Sequence, residues 1–177
     1  MKPRLALIAV LAILAVGLAA CGSSSSSSSA GNSGASGASG ASTTSTTHFA
    51  KTKFVLHVGL AFGAFHHWIW KPAEAGTLRH PLEHPLTAAK AALAAAFVYH
   101  ELKLALADAQ ADPTLSKLVA PITALENKIH GVSGSAKSSG VSSGDASGLN
   151  STVSSIKSDA ASAGQPITEQ TPASPSG

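Results

Sequence analysis

A single cysteine, a single methionine and a single tyrosine occur in 177 residues, and only 12% of the chain is charged. One cysteine excludes an intramolecular disulfide, so whatever folds must hold by packing alone, even in an oxidising compartment. Charge is scarce, with 12 Lys and Arg against 9 Asp and Glu. That leaves no basic patch of the kind nucleic-acid binding requires, so no nucleic-acid partner is expected. A nucleophile elbow, a glycine-rich phosphate loop and paired catalytic carboxylates are all missing. Glu74, Glu83, Glu101, Asp108, Asp112 and Glu126 are scattered, and the Glu101–Lys103 neighbourhood with Asp108 reads as a solvated helix face. Nothing here gives a reason to propose an enzyme.

What is present begins with a basic start, Lys2 and Arg4, followed by an apolar run from Leu5 to Ala20 that contains Gly17. A spanning helix needs roughly 20 apolar residues. This run falls short, and small residues close it, which is the build of a cleavable signal peptide over residues 1–20. The run ends in Leu18-Ala19-Ala20-Cys21. That tetrapeptide resembles the lipobox of bacterial lipoproteins. The resemblance implies that Cys21 is lipidated, that cleavage leaves it as the new N-terminus, and that the protein sits on the extracytoplasmic face of the cell membrane. Two acyl chains such as palmitate anchor stably where one does not, because each buried methylene adds about 0.8 kcal/mol. Loss of Lys2 and Arg4 leaves 10 basic against 9 acidic residues, so the pI near 9.2 comes partly from the signal.

Residues 22–47 are nearly all Ser, Gly, Ala and Thr, including an unbroken serine run from Ser23 to Ser29. Such a segment buries too little apolar surface to offset its ordering entropy, and residues 21–47 read as the lipidated cysteine plus a flexible tether. Its root-mean-square reach is on the order of 30 Å, enough to hold a domain clear of the headgroups.

From His48 to His130 lie both tryptophans, the tyrosine, all five phenylalanines and all eight histidines. The helical domain is expected over 48–163. A first helix is predicted from Phe49 to Trp70, stopping before Pro72. A second is predicted from about Thr87 to Ala111, with the seam Leu86, Ala89, Leu93, Ala96, Phe97, His100, Leu104 and Ala107 as its buried face. A third has Asp112 as N-cap, Pro113 in its first turn, and Gly131 just past its end. Leu115, Leu118, Ile122, Leu125 and Ile129 form its stripe, and Pro121 is expected to kink or split it. A Ser/Gly-rich loop follows near 132–148. Leu149, Val153, Ile156 and Ala160 then recur at helical spacing as a short fourth helix, and residues 164–177, with three prolines, are expected to be disordered. The fold class is therefore all-α, a small bundle of three to four helices. The lipobox, serine tether and Ala-rich helices together resemble uncharacterised lipoproteins of high-GC bacteria, which implies an anchor and no particular activity.

Three motifs carry alternatives. Gly59-x-x-x-Gly63 lies in a segment, Phe54 to Trp70, that is apolar almost all round; it suits a helix packed closely on a neighbour such as the Ala-rich second helix, or contact with a membrane. The histidines invite a haem or metal reading. His57 and His66 point in opposite directions and His57 and His67 differ by about 80° around the axis, so a ligand pair would need His100 from the second helix. His80-Pro81-Leu82-Glu83-His84 matches the H-x-x-E-H pattern of inverted zinc proteases, but Pro81 and Pro85 deny it a continuous helix, so it reads as an interhelical loop. The expected role is structural or partner-binding: a lipid-anchored envelope protein with its membrane contact through Cys21, an unidentified protein partner, and no cofactor. The alternative is a His-dependent haem- or metal-binding lipoprotein.

Overall fold

A computed structural model describes residues 41–177, with side chains from Phe49 onward. The signal peptide, Cys21 and the first part of the tether lie outside the described residues. Helix α1 (Ala41–Phe65) passes through a π-helical segment (His66–Trp70) into the short α2 (Lys71–Glu74). Helix α3 (Pro85–Ala111) follows a loop, a 3-10 turn (Pro113–Leu115) leads into α4 (Ser116–Ser135), and α5 (Ser143–Ser162) closes the set. Among the described residues there is no strand, and the architecture is an all-α bundle. α1 packs on α3, α3 on α4, α4 on α5, and α5 returns to the π segment and α2.

The first helix runs past Pro72 rather than stopping before it. Lys71 N–H donates to His66 O across the wider π turn, so the helix has already loosened where Pro72 supplies no donor. It ends at Gly76, whose positive φ of 76° makes a left-handed cap. Thr77 N–H reaches Pro72 O and Gly76 N–H reaches Ala73 O, satisfying the last carbonyls. At its other end the helix begins at Ala41, so the last residues assigned to the tether are helical.

Asp112 caps the next turn as expected: its carboxylate accepts from Thr114 N–H and from the Thr114 hydroxyl, both at 2.8 Å. Burial pushes this carboxyl up, but those two bonds and the Lys51 ammonium at 3.7 Å outweigh it and hold it below the usual range. α4 continues through Pro121 without splitting, and it passes Gly131 to end at Ser135. Its stripe from Leu115 to Ile129 is buried throughout. The loop expected near 132–148 is therefore only residues 136–142. The missed signal was Ser142-x-x-Asp145, a reciprocal capping box that starts α5. Leu149, Val153, Ile156 and Ala160 are buried as predicted.

The second helix differs most from expectation. Its buried face is Ala88, Ala91, Ala92, Ala94, Ala95, Val98, Glu101, Leu102, Ala105 and Ala109. The predicted seam faces outward instead: Leu86, Ala89, Leu93, Ala96, His100, Leu104 and Ala107 are all exposed, and Phe97 is half-buried. The physical reason is volume. α1 supplies Phe54, Phe62 and Phe65 and α4 supplies Leu118, Ile122, Leu125 and Ile129, all fully buried. Between two such bulky faces a close-packed interior has room for methyl groups and little else.

Candidate functional site

Two histidines, His57 on α1 and His66 just past its end, are held by carboxylates on opposite sides. His57 faces α3. Its Nδ1–H donates to Glu101 Oε2 at 2.7 Å, and its Nε2 stands 3.9 Å from Asp108 Oδ2. Glu101 is only 7% exposed, so it is not the solvated residue that its position beside Lys103 had implied. Burial pushes the Asp108 carboxyl above its usual range, against the pull of His57 and Lys53. About two turns of α3 thus bring two carboxylates to one imidazole, bracing α1 against α3.

His66 faces the other way, toward α5 and the C-terminal tail. Its Nδ1–H donates to Glu169 Oε2 at 2.5 Å, and its Nε2 meets the Asn150 side-chain amide at 2.7 Å. Lys157 Nζ donates to the second oxygen, Glu169 Oε1, at 2.6 Å. Burial raises the Glu169 carboxyl, but the bonds from Lys157 and His66 prevail and hold it below its usual range.

That network holds a tail expected to be disordered. After a turn at 163–164, residues 165–172 instead lie extended along the bundle, and 173–176 form a final turn. Ile167 is buried, Gln170 N–H donates to Gly59 O at 3.0 Å, and terminal Gly177 rests against the Phe97 ring. Gly59 and Gly63 make this possible. A Cβ on Gly59 would sit 2.5 Å from Thr168 O, and one on Gly63 would overlap the Gln170 carbonyl. The glycine pair therefore receives an extended strand of the tail and not the Ala-rich helix. Three prolines, Pro166, Pro172 and Pro175, suit a segment that runs extended and makes few main-chain bonds.

His100 is exposed on the outer face of α3, so the buried ligand pair that a haem or metal site required does not form. Among the described residues no group of three or more His, Cys, Asp or Glu side chains is placed to hold a metal ion. His80 and His84 sit in the loop before α3, joined by a turn in which His84 N–H reaches His80 O at 3.3 Å, as the flanking prolines predicted. No helix of the described residues is long and apolar enough to cross a membrane. Trp68 and Trp70 pack against the core, with Lys90 Nζ 5.6 Å above the Trp68 ring.

The surface that stands out is the outer face of α3. Leu86 is 68% exposed, Leu93 50% and Leu104 37%, with Leu82 at 90% in the loop just before the helix. Ala89, Ala96 and Ala107 fill the gaps between them. At Ala96 this strip opens into a groove of about 560 Å³ between α3 and α4, lined by Ala95, Tyr99, His130, Gly131 and Gly134. Sequence reasoning found this row of residues and assigned it to the wrong side of the helix. No family model, curated protein or solved structure matches the chain.

Proposed function

We propose that the protein is a lipid-anchored component of the cell envelope, held through Cys21 on the extracytoplasmic face, whose bundle binds a protein partner through the outer face of α3. The observation that carries the binding role is the leucine row itself. Burying a leucine fully contributes about 1.5–3 kcal/mol, and Leu82, Leu86, Leu93 and Leu104 leave much of that unused on one strip. Contiguous apolar strips of this kind mark interaction surfaces more than isolated exposed leucines do.

The margin of the strip gives the partner's chemistry. Lys90, Lys103, His84 and His100 border it, with Glu83 beside Leu82 as an exposed carboxylate among them, whereas Glu101 and Asp108 are turned inward to His57. A partner with an apolar ridge flanked by carboxylates is complementary to that margin. A lipid surface suits it less well, because Trp68 and Trp70, the residues that favour a membrane interface, are packed against the core instead.

The anchor rests on Leu18-Ala19-Ala20-Cys21 and the absence of any other thiol. Metabolic labelling with a fatty acid tests it. Cys21→Ala is expected to abolish incorporation and to accumulate an unprocessed precursor. Undiminished labelling of the variant would overturn the anchor.

A further inference from the structure

The notch that receives the tail is built by parts of the bundle proper: Gly59 and Gly63 on α1, His66 at its end, and Asn150 and Lys157 on α5. Its floor is main chain, since the two glycines let a strand lie directly on the helix. Its wall is a pair of donors, with the His66 imidazole and the Lys157 ammonium gripping different oxygens of one carboxylate. Together these parts specify an occupant. The occupant must be extended, because its carbonyls rest where Cβ atoms of the helix would otherwise stand. It must place an aliphatic side chain two residues before a carboxylate, as Ile167 precedes Glu169. It must also offer a free N–H one residue later, as Gln170 does to Gly59 O.

Nothing in that specification needs a covalent link to α5. Gly164, whose φ is 76°, and Gln165 still cap α5, their N–H groups donating to Ala161 O and Ala160 O, so a joint placed after Gln165 leaves that cap intact when the tail departs. Beyond Gln170 the side-chain bonds of Ser174 and Ser176 stay within the tail. The lock itself is reachable from solvent: the His66, Glu169 and Lys157 side chains are 25%, 25% and 38% exposed. An exposed ionic lock is weakened by salt and open to competition.

We propose that this notch is a recognition site for an extended acidic peptide segment, of the pattern aliphatic–any–carboxylate, and that the chain's own tail is its resident, displaceable occupant. The notch itself lies on α1 and α5, away from the α3 leucines, although the end of the resident tail reaches Phe97 of α3. A partner carrying the pattern exchanges with the tail, which leaves as a unit from Pro166 onward.

The test uses the full chain and a fluorescent synthetic peptide identical to residues 165–177. Glu169→Gln in the chain weakens the resident tail, so the peptide should bind that variant about tenfold more tightly than wild type, as the fraction of open notch rises. A peptide carrying Gln at the matching position should bind about tenfold more weakly. Absence of saturable binding to the variant, or equal binding of both peptides, overturns the proposal. So does a concentration-dependent dimer that the peptide dissolves, which would assign the notch to the tail of a second copy. Should Glu169→Gln fail to fold, the wild type decides: in isotopically labelled chain, excess unlabelled peptide should move the Gln170 amide resonance and speed its exchange while α3 amides stay protected. An unmoved Gln170 amide would sink the idea.

Discussion

Glu101 on α3 accepts a 2.7 Å hydrogen bond from His57 Nδ1 on α1, across an interface made mainly of apolar side chains. A carboxylate only 7% exposed is costly to keep unless it is bonded, and His57 is the group that bonds it. Glu101→Ala strands the imidazole and should destabilise the fold by about 1–3 kcal/mol. Glu101→Gln keeps an acceptor at the same position and should cost less. Urea denaturation of the two variants measures the difference; equal losses would mean that the carboxylate's packing, and not its bond, is what α1 uses.

Gly63→Ala is expected to free the tail without unwinding α1. In an isolated helix the change would help by roughly 1 kcal/mol, yet here the new methyl overlaps the Gln170 carbonyl. Limited proteolysis should therefore cut residues 165–177 faster in the variant while the far-ultraviolet spectrum stays helical. A tail as resistant as wild type would show that the close approach is not required.

The helices were legible because their ends carry chemistry: Asp112 caps, Pro85 opens a helix, and the stripe of α4 alternates cleanly between Leu or Ile and polar residues. The orientation of α3 was not. In an Ala-rich helix every face is apolar, so periodicity has little contrast, and the row of largest side chains points to the wrong face. What decides the inward face is the volume that α1 and α4 bring to it, which no reading of α3 alone contains. The His66–Glu169 contact spans 103 residues and leaves no local trace. Nor does the ordering of the tail, since Pro-rich composition describes a segment that avoids helix and sheet equally well whether it is free or seated on glycines.

Acid should release the tail before it unfolds the bundle. Glu169 titrates below its ordinary value of 4.5, so its contribution is complete above that pH and is lost as pH falls through the depressed value. Asp112, also depressed, loses its contribution in the same direction, whereas Asp108, which is raised, acts with the opposite sign. Protection of the Gln170 amide, taken relative to its intrinsic exchange rate at each pH, should fall in the acid range (below about pH 4.5, by linkage). Glu169→Gln should remove that step. A Gln170 profile indifferent to pH in wild type would exclude Glu169 as the lock.

His100→Leu should change stability by less than about 0.5 kcal/mol, the usual range for an exposed position away from special features. The residue lies outside the core, so its replacement strands no buried partner. Melting curves with and without haemin or a chelator provide the check. A large shift confined to the loaded wild type would revive His100 as a ligand.

The account's central claim is that the outer face of α3 is where a protein partner docks. A photoreactive phenylalanine analogue placed at Leu93 in the full-length, Cys21-bearing chain, and separately at exposed Ser154 on α5, tests it in living cells. The account predicts a discrete protein adduct from position 93, absent from position 154 and lost when Leu86→Glu is added to a chain that still folds. Lipid adducts alone from position 93, or equal protein adducts from both positions, would contradict it.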